Sequence, residues 1–160
     1  MQTTLPKAPR EGQILHYDGS FEVNSPKDVV YDFIADPAKV STILPDVQDV
    51  KITDHDDFSM KAKMGISFVK GLMDVKCTFT EKTPFTFLKL KANANGLSSV
   101  VELEASFALK DGEGGGTVVR WAADAKIAGL LARVGSRLID SATQKYVTEM
   151  INSLRQKLTQ

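Results

Sequence analysis

The sequence lacks several features that indicate particular classes of protein. Cys77 is the only cysteine among 160 residues, so the chain cannot form an internal disulfide. Basic and acidic residues number 20 each, and this balance gives no basic excess of the kind that binds nucleic acid. No apolar run approaches the ~18 residues of a membrane span, and the first residues show no signal-peptide core. We therefore expect a cytoplasmic protein.

Residue types used in catalysis are also scarce. The only histidines are His16, on the polar face of a predicted strand, and His55, in a polar turn. Cys77 lies between apolar positions, which is typical of a buried core residue without a neighbouring base. Metal ligand types occur at Asp54–Asp57, but a hairpin turn has the same composition. Gly112–Gly116 leads into a strand, so it lacks the helix N-terminus of a phosphate site. We predict no catalytic residue, no metal and no cofactor.

Alternation of apolar and polar residues predicts seven strands. They cover residues 14–23, 47–53, 58–66, 68–82, 85–94, 99–109 and 117–127. From residue 58 onward each strand has one apolar and one polar face, so the sheet needs a single covering layer. Several strands are longer than the usual five or six residues, which lets a sheet curve. Asn95-Gly96 predicts the turn of one hairpin.

Helical periodicity predicts three helices. Ser25 is expected to cap the first, whose buried stripe comprises Val29, Val30, Phe33 and Ile34, and the second begins at Asp36-Pro37. The third is predicted over residues 129–158 and is about 45 Å long. Its apolar stripe comprises Leu131, Val134, Leu138, Ala142, Tyr146, Met150, Leu154 and Leu158.

The order of these elements predicts the fold. One strand, two short helices, six strands and one long helix indicate an α+β helix-grip architecture. In it, a curved seven-stranded antiparallel sheet surrounds a long C-terminal helix. We expect residues 1–12 to be a flexible leader and residues 13–160 to be a single domain.

Four segments then indicate a family. The most specific is Gly129–Ile139, and the others are Leu44–Asp46, Gly65–Gly71, and Gly116-Thr117 followed by Trp121. On these segments the chain resembles the carbon monoxide dehydrogenase G-subunit (CoxG) family, within the START-like, Bet v 1-like (SRPBCC) superfamily. Asp46 stands where the family tends to have glycine. Many members carry an apolar C-terminal extension, whereas this sequence stops at Gln160, so we expect membrane contact to be peripheral at most.

The resemblance implies a function. Such folds usually keep a cavity between sheet and helix, and an apolar cavity takes a hydrophobic small molecule such as a lipid or a quinone. Members of the family accompany molybdenum-dependent CO dehydrogenase-like oxidoreductases, in maturation, recruitment or quinone handling. Apolar and small residues of the sheet and the helix are expected to bind the ligand: Phe58, Met60, Met64, Met73, Val75, Leu90, Leu103, Trp121, Leu131, Gly135, Leu138 and Ala142.

Two other functions remain open from the sequence. A polyketide cyclase or dehydratase type of enzyme shares this fold, and it would need an ionisable side chain inside the cavity. Glu81, near a strand end, is the one candidate for that group. A partner-recruiting protein with a filled core would instead bind no apolar ligand.

Overall fold

The computed structural model describes residues 13–159 and shows one antiparallel sheet covered by helices. The strands are β1 Gln13–Val23, β2 Val47–Ile52, β3 Asp57–Ile66, β4 Val69–Thr83, β5 Phe87–Gly96, β6 Ser99–Asp111 and β7 Thr117–Gly129. The helices are α1 Lys27–Ile34, α2 Pro37–Val40 and α3 Ser136–Leu158, with 3-10 turns at Ser41–Ile43, Glu113–Gly115 and Leu130–Arg133. The spatial strand order is β1-β7-β6-β5-β4-β3-β2. The predicted helix-grip fold is confirmed, while the predicted leader 1–12 lies outside the described residues.

Strand register confirms the predicted apolar face, which we call the inner face because α3 lies over it. Phe107 stands opposite Trp121, and Leu90 opposite Ala105. Met60 stands opposite Val75 on the neighbouring pair. Because side chains alternate across a strand, these pairings place every second residue of each strand on the inner face.

The last helix is shorter than the sequence predicts. It begins at Ser136 and has 23 residues, or about 35 Å. Gly129 and Gly135 have φ of 89° and 99°, in the left-handed region that a right-handed helix cannot include. Between them, Leu130 N donates to Ser98 O at 2.9 Å and Leu131 N donates to Ser99 Oγ at 2.8 Å. These bonds fix the segment against the β5–β6 turn, so the prediction of a continuous helix over 129–158 is wrong.

One residue of the predicted apolar stripe of α3 is wrongly placed. Leu138 is 47% exposed, and Ile139 is the buried residue of that turn. Farther along, Ala142, Tyr146, Met150 and Leu154 keep their predicted inward side. The error follows from the helix start, because a stripe that is extended back through Gly135 selects the wrong residue of the first turn.

The start of α1 differs from the prediction in two respects. Pro26 is the cap residue and makes no side-chain capping bond, so Ser25 does not cap the helix. Ser25 is buried instead, and its carbonyl accepts a hydrogen bond of 2.6 Å from Thr117 Oγ1. Val29 is 43% exposed, whereas Val30 and Tyr31 are buried. Of the predicted stripe, Val30 and Ile34 are buried and Phe33 is half-buried, so only Val29 is wrongly placed.

The β5–β6 hairpin turns later than predicted. Leu97 and Ser98 are its two central residues, each with φ of 54°, as a type I′ turn requires. Gly96 still pairs with Ser99 at the end of the ladder. A Cβ on Gly96 would lie 2.9 Å from Leu72 O, so this glycine permits the close approach of β4 rather than forming the turn.

Buried apolar residues form two separate clusters. The α1 cluster, beneath α1 and the end of α3, comprises Val23, Val30, Tyr31, Ile34, Ala35, Ile43, Phe58, Met60, Cys77, Phe79, Leu88, Leu109, Val119 and Leu154. The turn cluster, beside the β3–β4 and β5–β6 turns, comprises Ile66, Val69, Ile127, Leu131, Ala132 and Ile139. Helix α3 contributes Leu154 to the first and Ile139 to the second, so it is held by apolar packing near both ends.

Candidate functional site

Between the two clusters lies a part of the inner face that is less deeply buried. Leu103 and Trp121 of the sheet and Tyr146 and Met150 of α3 are only half-buried, and they belong to neither cluster among the described residues. We call these four residues the central region. By contrast Leu109, on the same strand as Leu103, is 3% exposed. Large apolar side chains of the central region therefore have surface that the described part of the chain does not cover.

Small side chains on the inner face of the sheet leave space between the sheet and α3 beside the central region. Tyr17, Ala123 and Ala105 are neighbours across β1, β7 and β6, so two of the three positions in that row carry only a methyl group. Trp121 lies across Gly19 of the adjacent strand, where a Cβ would come within 3.0 Å of Trp121 Nε1. Any side chain at residue 19 would therefore push the indole away from β1.

Polar contacts fasten α3 to both sides of the sheet. Tyr17 Oη donates to Asp140 Oδ1 at 2.7 Å, which joins β1 to the first half of the helix. Tyr146 Oη donates to Lys63 O of β3 at 3.2 Å. Arg155 Nη2 donates to Glu22 O at 2.9 Å near the C-terminal end of the helix. With apolar packing near its ends and these bonds at its sides, α3 spans the central region.

Tyr17, beside the central region, and Tyr146, within it, both keep their protons at neutral pH. Burial and, second, the hydrogen bond to Asp140 raise the pKa of Tyr17 to about 12, although a bond with Thr143 lowers it in part. Burial also raises the pKa of Tyr146, with smaller contributions from Asp46 and Glu149. The two hydroxyls act as hydrogen-bond donors and are not bases.

The groups with catalytic potential lie elsewhere. Burial raises the pKa of the Cys77 thiol to about 12, and the side chain is part of the α1 cluster. His55 and Glu81 are both exposed. His16 is exposed on the outer face of the sheet. Within residues 13–159 no three His, Cys, Asp or Glu side chains are arranged so that they could hold a metal ion. Glu81 therefore does not supply the sheltered acid that the enzyme hypothesis requires.

The helices carry no sign of a membrane span. None of those in residues 13–159 combines the length and the apolar content that crossing a bilayer requires.

Sequence comparison assigns the chain to a family. The sequence profile of the carbon monoxide dehydrogenase G-subunit (CoxG) family matches residues 19–159. The chain belongs to the CoxG family. This match runs from the middle of β1 to the end of α3, so it includes every element that borders the central region. No curated protein matches the chain in sequence.

Solved structures with this fold share little sequence with the chain. A conserved protein from Geobacillus kaustophilus superposes with a TM-score of 0.84 at 21% identity, covering 91% of this chain and 95% of that one. Ara h 8.0201 gives a TM-score of 0.69 at 10% identity, covering 92% and 100%. The Zhui aromatase/cyclase from a Streptomyces species gives 0.66 at 11% identity, covering 91% and 93%. At these identities the likeness shows the shared Bet v 1-like fold alone.

In this CoxG-family chain the predicted ligand-binding residues fall into three groups. Phe58, Met60, Met73 and Leu131 are fully buried. Met64, Val75, Leu90 and Ala142 are half-buried at the borders of the two clusters. Leu103 and Trp121 lie in the central region. The second and third groups are the ones with surface left to offer a ligand.

Two predicted residues are not placed as expected. Gly135 precedes α3 and is not part of its inward face, because its φ of 99° ends the preceding turn. Leu138 is exposed at the start of the helix. Their inclusion rested on the continuous helix that the structure replaces with a 3-10 turn and a break.

The sequence-based selection also missed residues of the central region. Tyr146 and Met150 were on the predicted helix stripe but were not chosen as ligand-binding residues. Tyr17 lies on β1, and its bond to Asp140 joins positions 123 residues apart. The stripe identified the two helix residues, whereas no local pattern indicates the partner of Tyr17.

Proposed function

We propose that this protein binds a hydrophobic small molecule, lipid- or quinone-like, between the inner face of the sheet and α3, without transforming it. The observation that supports this is the position of Leu103 and Trp121, which face α3 but pack in neither cluster. A ligand that removes about 200 Å² of apolar surface from water gains roughly 5 kcal/mol before the losses of association. This gain is enough for binding if those losses are moderate.

The test is a titration with menaquinone and, separately, with a fatty acid. Trp121 is the only tryptophan of the chain, so protein fluorescence reports on the central region directly. We expect a saturable change in fluorescence and a rise in melting temperature with ligand concentration. If neither ligand produces either response, the partner-recruiting hypothesis with a filled core gains support instead.

A matched pair of variants locates the binding site. Leu103→Gln places an amide on the inner face, and Glu104→Gln changes the next residue, on the opposite face of β6. We expect the first to weaken ligand binding by about tenfold or more and the second to leave it unchanged. Recovery of a chemically altered ligand from the unmodified protein would favour the cyclase or dehydratase alternative.

The family name supports a proposal about the partner. We propose that the protein serves as an accessory, maturation or recruitment factor of a molybdenum-containing, CO dehydrogenase-like oxidoreductase. The measurement is gel filtration of the purified protein with such an enzyme, with and without the apolar ligand. Co-elution is the expected result. Separate elution under both conditions would contradict a stable complex.

The end of the molecule at the turn cluster suits peripheral contact with an anionic membrane. Phe68 is 60% exposed there, and Leu138 at the start of α3 is exposed as well. The three segments that form this end, 65–72, 95–101 and 128–138, contain no acidic residue. Their charged residues are Lys70, Arg133 and Arg137. Exposed apolar groups beside cations match the chemistry of an anionic lipid surface.

Vesicle sedimentation tests this proposal. We expect binding to vesicles that contain phosphatidylserine, weaker binding to phosphatidylcholine alone, and a loss of binding in Phe68→Ser. Phe85→Ser is the control, since Phe85 is also exposed but lies in the β4–β5 connection beside α1. Equal binding of the two variants would contradict the assignment of this end.

A further inference from the structure

The bond between Tyr17 and Asp140 differs in kind from the other contacts that fasten α3. Tyr146 and Arg155 both donate to backbone carbonyls of the sheet, which carry no net charge. Tyr17 instead donates to a side-chain carboxylate at 2.7 Å. Fastening the helix needs only a hydrogen-bond acceptor, and a carbonyl would serve. The contact with Asp140 adds a charge at the border of an apolar region.

The hydrogen-bonded pair of Tyr17 and Asp140 is close to the central region. Tyr17 projects from the inner face of β1, two residues from Gly19, on which Trp121 lies. Leu103 lies two strands away on β6, or about 10 Å at the usual strand spacing. On α3, Asp140 precedes Tyr146 by six residues, and the half-buried Thr143 stands between them. A ligand that covers Leu103 and Trp121 therefore needs only modest length to reach Tyr17.

Tyr17, Asp140 and Thr143 together offer a ligand hydrogen-bond acceptors and no free donor. The Tyr17 proton is directed to Asp140 Oδ1, and the Thr143 hydroxyl donates to Ile139 O at 2.8 Å. The one Thr143 proton serves either Ile139 O or the phenol oxygen, the contact that lowers the pKa of Tyr17 in part, so it is used within these residues in both cases. The oxygens that remain are acceptors: the Thr143 oxygen, the second carboxylate oxygen of Asp140 and, when Thr143 donates to Ile139 O, the phenol oxygen. Among residues 13–159 no salt bridge neutralises Asp140. A ligand that meets this group gains only if it brings a hydrogen-bond donor.

We infer that Tyr17, Asp140 and Thr143 form the polar end of the ligand site and select an apolar molecule whose head group is a hydrogen-bond donor. The preferred head groups are an alcohol, a phenol, the reduced form of a quinone, or an amine. Ethers, esters and oxidised quinones offer only acceptors, and a carboxylate is repelled by Asp140, so we expect these ligands to bind through their apolar part alone and less tightly. This inference rests on the proposed function, since it names the ligand class of the same site.

The experiment compares ligands of matched size by calorimetry. 1-Decanol and nonyl methyl ether are isomers that differ in whether the oxygen carries a proton, and decanoate adds a negative charge. We expect decanol to bind about two- to tenfold more tightly than the ether, the range for one added hydrogen bond. Decanoate is expected to bind more weakly than decanol.

Variants of the polar end should reduce this preference. Tyr17→Phe removes the phenol oxygen and keeps the ring, and Asp140→Asn removes the charge with little change of shape. In both variants we expect the ratio of decanol to ether affinity to fall towards one. In Asp140→Asn decanoate should also gain about threefold or more. Asp18→Asn is the control, because Asp18 is exposed on the outer face of the same strand and leaves all three affinities unchanged.

The outcomes separate the inference from the proposed function. If the unmodified protein binds decanol and the ether equally, the polar end makes no selection and the inference is overturned, while apolar binding stands. If it binds none of the three ligands, the proposed function fails and the inference with it. If Tyr17→Phe and Asp140→Asn lower stability but leave the decanol-to-ether ratio unchanged, the contact is only a fastening and the inference is wrong.

Discussion

Leu88 and Leu103 are leucines on the inner faces of the neighbouring strands β5 and β6, yet their surroundings differ. Leu88 has no exposed surface and lies within the α1 cluster, among residues of α1, the sheet and the end of α3. Leu103 is half-buried, and its register neighbours are the small Ala92 and Ala125. The same residue type on the same face is thus part of a filled core at one place and of a less covered surface at the other. What differs is the covering layer, not the strand.

The largest expected effect is on stability in the filled core. Leu88→Ala removes buried atoms where close packing prevents collapse, so we expect a loss of about 2–5 kcal/mol in the free energy of unfolding. Leu103→Ala leaves less new cavity and should lose no more than about 1.5 kcal/mol. Urea denaturation of the two variants, without ligand, measures the difference. Equal losses would mean that Leu103 is as well packed as Leu88 and would remove the basis for a ligand site.

The second comparison adds volume instead of removing it. Ala123→Leu introduces three carbons beside the central region, where we expect the free energy of unfolding to change by less than about 1 kcal/mol. Val119→Leu adds one carbon in the α1 cluster, where Val119 is fully buried, and should cost about 1–3 kcal/mol. The leucine at position 123 occupies space that a ligand needs, so binding of decanol or menaquinone should weaken by about tenfold or more. Tolerance of Ala123→Leu together with unchanged ligand binding would place the ligand elsewhere.

The difference between these two regions shows how far the sequence can predict the site. Alternation on β3 to β7 predicted which side chains face inward, because a period of two is local and is enforced by the pleat. It did not predict which inward side chains are covered, because that depends on where α1 and α3 lie. Phe58 and Trp121 have the same pattern in the sequence, and only the structure separates the buried residue from the half-buried one.

Backbone conformation accounts for the other errors. The helical stripe extends through residues 129–158, but the left-handed φ of Gly129 and Gly135 divides it, and a stripe of side chains does not report φ. Asn95-Gly96 indicated the turn too early, and Gly96 instead permits the approach of β4, a contact with a strand more than twenty residues earlier in the chain. The bond between Tyr17 and Asp140 is likewise a contact between residues far apart in the sequence. Features fixed by long-range contacts were the ones that the sequence did not predict.

A smaller effect distinguishes the two regions by access of solvent. Cys77 is buried in the α1 cluster with its thiol pKa raised to about 12, so we expect negligible labelling by a thiol reagent at about pH 8 in the native state. A cysteine in the central region, made by Leu103→Cys in a Cys77→Ala background, should react at least about tenfold faster. The reaction is measured by the absorbance of the thiolate that the reagent releases when it labels the cysteine. If both thiols react only on unfolding, the central region is closed to small molecules.

The smallest effect concerns the outer face, where no ligand is expected. His16 Nδ1 lies 2.7 Å from Asp124 Oδ1 and Nε2 lies 2.9 Å from Asp18 Oδ2, and these hydrogen bonds raise its pKa above the ordinary 6.5. A raised folded-state pKa means that these contacts stabilise the fold below pH 6.5 and that this contribution disappears as pH rises through the folded pKa.

We therefore expect His16→Gln to be slightly less stable than the unmodified protein at about pH 5.5 and equal to it at about pH 9, as measured by urea denaturation. Because the three groups are exposed, the difference should be small and should shrink further in high salt. The affinity for decanol should be the same in both proteins at either pH. A change in that affinity would show that the outer face of β1 influences the inner one, and the separation drawn between filled core, central region and outer face would then need revision.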